Sequence, residues 1–121
     1  KIAIATDTNS SMTQKQADEH GIYLLPMPVI IDGETYLEGL NINNAQLYNA
    51  MKEHRDISSS QPSPGQLIEF WENILKTGYD QIVYIPMSSG LSNSCHNAIQ
   101  FSMDYDGKIQ VVYSFLRQNV I

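Results

Sequence analysis

Two short apolar runs constrain this chain most: Ile2-Ala3-Ile4-Ala5 near its start and Ile82-Val83-Tyr84-Ile85-Pro86-Met87 in its second half. Neither alternates with polar residues, so each reads as a strand buried on both faces. Segments with helical spacing lie between and after them. Strands of this kind joined through helices predict a mostly parallel sheet flanked by helices on both faces, a Rossmann-like three-layer α/β sandwich. The 121 residues fit one domain with its own core.

Local signals fill in the order. Thr13 with Gln16 has the form of a capping box, and Gly21 ends a helix over residues 13–20. Residues 22–31 read as one strand, part of it at a sheet edge because Pro26 and Pro28 lack a donor for the ladder. Asp32-Gly33 predicts a turn into a short hairpin arm at residues 34–37. Asn43 or Asn44 caps a helix to about His54, with Leu47, Ala50 and Met51 on one face. Residues 56–62 read as a serine-rich loop. Ser63-Pro64 opens a helix to Thr77, whose Leu67, Phe70, Trp71, Ile74 and Leu75 recur at i, i+3, i+4, i+7 and i+8. A helix over 92–103 and a strand over 109–113 complete the chain.

Charge narrows the partners. The net charge is −6, and the 7 Lys and Arg residues form no cluster. Nucleic-acid backbones and anionic membrane surfaces both need a positive face, so both are disfavoured. The lone Cys95 allows no internal disulfide, no apolar stretch reaches the length of a membrane span, and the first residues do not read as a signal peptide. A cytoplasmic location is expected.

In a parallel sheet, ligands bind beyond the carboxyl ends of the strands. Three hydroxyl-rich loops are candidates for that edge: residues 6–11, 58–60 and 88–92. Ser88-Ser89-Gly90-Leu91-Ser92 joins a buried strand to a helix, where unpaired N–H groups, the helix dipole and serine hydroxyls together suit a carboxylate or phosphate oxygen. Gly90 would let a ligand approach the backbone. Ser58-Ser59-Ser60-Gln61-Pro62-Ser63 holds more serines than one cap needs. The plainer reading of both loops is capping and turn formation.

These residues carry a resemblance. Ser59-Ser60-Gln61-Pro62-Ser63 resembles the Thr-Ser-Gln-Pro-Ser motif of the DegV family of bacterial fatty-acid-binding proteins, and Ser88-Ser89-Gly90-Leu91-Ser92 resembles its Ser-Ser-Gly-Leu-Ser-Gly-Thr motif. Ile4-Ala5-Thr6-Asp7-Thr8 is similar to the family's first strand, and Pro26-Met27-Pro28-Val29 with Gly33, Tyr36 and Gly39 follows in order. The chain departs from the pattern where Ser59 replaces Thr, Asn93-Ser94 replaces Gly-Thr and Tyr113-Ser114 stands for Asp-Ser. The resemblance implies one long-chain fatty acid held between two α/β domains. Its carboxylate would lie on Ser59 and on Ser88 or Ser89, with Ser58 and Ser60 as neighbours, and its acyl chain in an apolar tunnel. It implies no cofactor, and in some members presentation of the bound lipid to a fatty acid kinase. Family members are more than twice this length. The expectation is therefore that residues 1–121 form the N-terminal domain alone, the second being absent, and that the face left open drives dimerisation.

Two other readings stand beside this one. Ser89, His96 and Asp7 could form a serine-nucleophile hydrolase or transferase, although no Gly-x-Ser-x-Gly elbow is present. A truncated domain acting only by association is the other. His20, His54 and His96 have no metal-ligand spacing. Cys95 reads as a small buried residue. Met27, Met51, Met87 and Met103 read as core, or as the lining of an acyl pocket.

Overall fold

The computed structural model describes residues 1–10, 12–86 and 93–112. Its main sheet has the strand order β2-β1-β6-β7, all parallel, built from β1 (Ile2–Asp7), β2 (Ile22–Leu25), β6 (Gln81–Ile85) and β7 (Ile109–Val111). Four helices accompany it: α1 (Gln14–His20), α2 (Asn44–Lys52), α3 (Pro64–Lys76) and α4 (Asn93–Ser102). This is the expected α/β architecture. The β1-α1-β2 and β6-α4-β7 crossovers move in opposite directions across the sheet. Right-handed connections therefore put α1 and α4 on opposite faces.

The core lies on the α3–α4 face. Alternate residues Ala3 and Ala5 of β1 and Ile82 and Tyr84 of β6 meet Leu67, Trp71 and Ile74 of α3 and Ala98 of α4. Trp71 is fully buried, with its ring perpendicular to those of Tyr84 and Tyr105 at 5.8 Å each. The other face of β1 is open: Ile2 is 55% and Ile4 38% exposed, and Val112, just beyond β7, is 50% exposed. A strand buried on both faces was expected at residues 2–5; on the second face Thr6 is buried, while Ile2 and Ile4 are exposed.

The helix starts follow the sequence closely. Thr13, Asn43 and Ser63 each accept a hydrogen bond from the backbone N–H three residues on, and Gln16, Gln46 and Gln66 return the bond to the cap. Each reciprocal pair satisfies two backbone donors that the start of the helix would otherwise leave unpaired. Pro64 occupies the first turn of α3, where no N–H is needed.

Three expectations change. The single strand over residues 22–31 is two strands in two sheets, broken at Pro26-Met27. β2 lies at the edge of the main sheet, and both prolines fall outside it. β3 (Pro28–Ile31) instead sits in the middle of a second, antiparallel sheet of order β4-β3-β5, with Pro28 at its first position. The loop over residues 56–62 contains β5 (Ile57–Ser59), which pairs with β3. Met51 and Met103 belong to neither core nor pocket; they are 58% and 71% exposed. α2 covers only a three-stranded sheet, so the stripe it buries is narrow: Ala50 is buried and Leu47 half-buried. The hairpin from β3 to β4 (Glu34–Leu37) turns on Asp32 and Gly33, at φ 51° and 86°, the left-handed pair of a type I′ turn. Strand residues Met87 and Tyr113 lie outside the described residues.

Candidate functional site

From β1 the chain leaves to β2 on one side and, later, arrives at β6 on the other. The carboxyl ends of β1 and β6 therefore form the point where strand order reverses, the place where an open parallel sheet leaves a crevice for a ligand. Thr6 Oγ1 donates across this point to the Ile85 carbonyl at 2.6 Å. Asp7, the last residue of β1, is buried. Residues 88–92, with Ser88 and Ser89, follow β6 and precede α4; they lie outside the described residues.

The second sheet is fastened to the same edge. The Met27 N–H donates to Thr8 Oγ1 at 2.9 Å, which joins the β2–β3 crossing to the end of β1. The Met27 carbonyl accepts from the Glu38 N–H at 3.1 Å, and the Pro28 carbonyl accepts from the Ser60 N–H at 3.1 Å. Ser60 is thus connected to the end of β1 through two residues of the crossing segment. Further along, Gln61 and Pro62 lie over β6 and α4, where they share a cavity of about 20 Å³ with Tyr84, Asn97 and Ala98. One run of chain, residues 58–62, so spans from the β3 edge to the helix that begins after residues 88–92.

Within that run the serines are not equivalent. β5 pairs Ile57 with Ile31 and Ser59 with Val29, so Ser59 is on the same face of the sheet as buried Val29 and Ile31. Ser58 pairs with Ile30 and points to the opposite face. The Ser60 hydroxyl makes only a long 3.5 Å contact to the Gln61 carbonyl. All three serines are exposed, and the hydroxyls of Ser58 and Ser59 have no hydrogen-bond partner among the described residues. Ser63, by contrast, is engaged as the cap of α3. Sequence reasoning placed these serines in one loop and missed that a strand's two-residue period divides them.

The remaining candidates differ in exposure. His96 is exposed on α4, while Asp7 is buried at the end of β1. Cys95 is buried, and burial raises its thiol pKa, which keeps it protonated and poorly nucleophilic. Burial also pushes the Tyr84 hydroxyl upward, with the nearby Asp7 carboxylate a lesser cause. Among the described residues no group of His, Cys, Asp and Glu is placed to hold a metal ion, and no helix is long and apolar enough to cross a membrane.

A parallel sheet whose strand order reverses at the carboxyl ends of β1 and β6 defines an open-sheet α/β domain. Comparison with known proteins gives the family. Residues 1–117 match the DegV family of uncharacterised proteins, and the chain belongs to that family. A DegV domain-containing protein of Listeria innocua is 35% identical over 114 residues, which are 93% of this chain and 40% of that protein. A DegV domain-containing 15.5 kDa protein of Staphylococcus aureus is 32% identical over 114 residues, covering 94% of this chain and 81% of the relative. Among solved structures, DegV of Bacillus subtilis, described as a fatty acid binding protein, matches at 29% identity with a TM-score of 0.77, over 92% of this chain and 39% of that one. The chain thus spans about 40% of the length of the Listeria relative and of the Bacillus structure.

Proposed function

We propose that this chain binds a long-chain fatty acid, with the carboxylate held by Ser59 and by Ser88 or Ser89 at the β1–β6 switch point. The observation that carries the reading is the fastening of the 58–62 run over that edge, with Ser60 bonded to Pro28 and Gln61-Pro62 seated against Tyr84 and α4. The Bacillus relative, at 29% identity and a TM-score of 0.77, is described as binding a fatty acid. A carboxylate taken out of water needs several donors. Neutral hydroxyls and backbone N–H groups provide them.

The same reading places another body of protein, a further domain or a second copy, on the open face of Ile2, Ile4 and Val112, and would let the bound lipid be shown to a kinase. The experiment is mass spectrometry of lipid carried by the purified protein. Ser59→Ala combined with Ser89→Ala should empty it, whereas lipid content equal to that of the parent would refute the site.

A further inference from the structure

A groove of about 290 Å³ runs between α2 and the second sheet, and none of Ser58, Ser59 and Ser60 lines it. Its floor is apolar: Ile31 of β3, Ile42 and Ala50 are each buried. Its wall is polar because of the sequence of α2. Gln46, Asn49, Ala50 and Glu53 recur at i, i+3, i+4 and i+7, which puts them on one helical face. Three of the four carry polar side chains, and the fourth, Ala50, is too short to fill the space between them. A helix face that did nothing but cover a sheet would carry apolar residues at these places.

The hydrogen-bonding groups left over in the groove select a kind of ligand. Asn41 Oδ1 accepts from the Leu37 N–H at 2.6 Å, and Gln46 Oε1 accepts from the Asn43 N–H at 2.9 Å. With both oxygens engaged, the NH2 groups of the two amides are what remains for a ligand. The Asn49 amide, also in the wall, has no hydrogen-bond partner among the described residues. Arg55 brings no free charge: its Nε donates to Asp32, and its Nη1 lies 3.9 Å from Glu53 Oε1. An ion of either sign therefore meets a like charge in this group. The Tyr36 hydroxyl donates to Glu34 at 2.9 Å, so Tyr36 contributes its ring to the groove. A neutral ring with hydroxyls at its edge and C–H bonds on its face matches this set. Its oxygens accept from the amides, a hydroxyl donates to Glu53, and its C–H face covers Ile31, Ile42 and Ala50.

We propose that this groove binds a neutral polyol the size of one sugar ring, at a site separate from the serines and independent of the fatty-acid reading. The volume lies just below the roughly 300 Å³ at which small-ligand pockets usually begin, which suits a single ring. Hydrogen bonds in an open groove compete with water, so Kd is on the order of millimolar.

NMR of the Ile31, Ile42 and Ala50 methyl groups during titration with glucose, galactose and mannose reads the groove directly. Saturable shifts are expected with at least one of these hexoses. Asn49→Leu removes one amide at an exposed position and keeps a good helix former, so it should weaken binding by about tenfold. Tyr48→Ala, on the opposite side of α2 and 61% exposed, should bind as the parent does. The Trp71 indole resonance reports that each variant stays folded. Glucuronate, which adds a carboxylate to the same ring, should bind more weakly than the neutral hexose. The proposal is overturned by any one of three results: no saturable shift with any hexose, equal affinity in Asn49→Leu and the parent, or tighter binding of glucuronate. None of them bears on the serine site.

Discussion

Trp71→Phe separates two contributions that one buried ring combines. Trp71 is fully buried between Tyr84 and Tyr105, and its Nε1–H has no partner among the described residues. Removing the whole ring should cost about 3–5 kcal/mol, the usual cost of an aromatic-to-alanine change in a core. Trp71→Phe keeps a ring in place and deletes the orphaned donor, whose burial costs about 1–3 kcal/mol. The gain offsets much of the lost packing, so Trp71→Phe should lie within about 1 kcal/mol of the parent. Urea unfolding followed by circular dichroism gives both differences. In thermal scans the alanine variant should fall by about 9–20 °C, at roughly 3–4 °C per kcal/mol. If the phenylalanine variant loses as much as the alanine variant, the orphaned donor carries no weight and the argument is wrong. The pair also probes the site, because Tyr84 lies beneath Gln61 and Pro62. A lipid content that drops in Trp71→Ala and holds in Trp71→Phe would tie core packing to the serine run.

Two further predictions concern local structure. The Arg55 side chain and the Asp56 N–H both bond the Asp32 carboxylate and lower its pKa, so its contribution is present above the unfolded carboxylate range and is lost as pH falls below about 4. Asp32→Asn, which keeps a residue suited to the left-handed turn, should flatten the acid limb of stability against pH; an identical limb would show that the pairing with Arg55 is without effect. Ser63→Ala removes the cap of α3 and should cost about 1 kcal/mol in unfolding experiments, with a Ser63→Gly cost only a few tenths; equal costs would contradict the capping geometry.

What the sequence made legible was whatever local chemistry decides. The starts of α1, α2 and α3 were marked by their caps, with Gln16 returning the bond to Thr13 and Pro64 following Ser63, and the Asp32-Gly33 turn by the backbone it requires. The strands with several apolar residues in succession were found at or near their places. Two features depended on distant partners and were not readable. β5 has one apolar residue, Ile57, and forms because the Val29–Ile31 backbone lies beside it. The break at Pro26-Met27 followed from Thr8, nineteen positions earlier, offering an acceptor to the Met27 N–H. Both errors fell on the small second sheet, and it is this sheet that carries Ser58 and Ser59. The serine motif was therefore visible while its two-faced geometry was not.

The most direct measurement is a heteronuclear NMR titration of the protein with a saturated fatty acid isotopically labelled at its carboxyl carbon. The account predicts that the labelled carbon shows close contacts to the side-chain protons of Ser59 and of Ser88 or Ser89, consistent with a hydroxyl–carboxylate hydrogen bond of about 2.7 Å. Contacts from the carboxyl carbon to residues elsewhere, or no saturable binding, would contradict it.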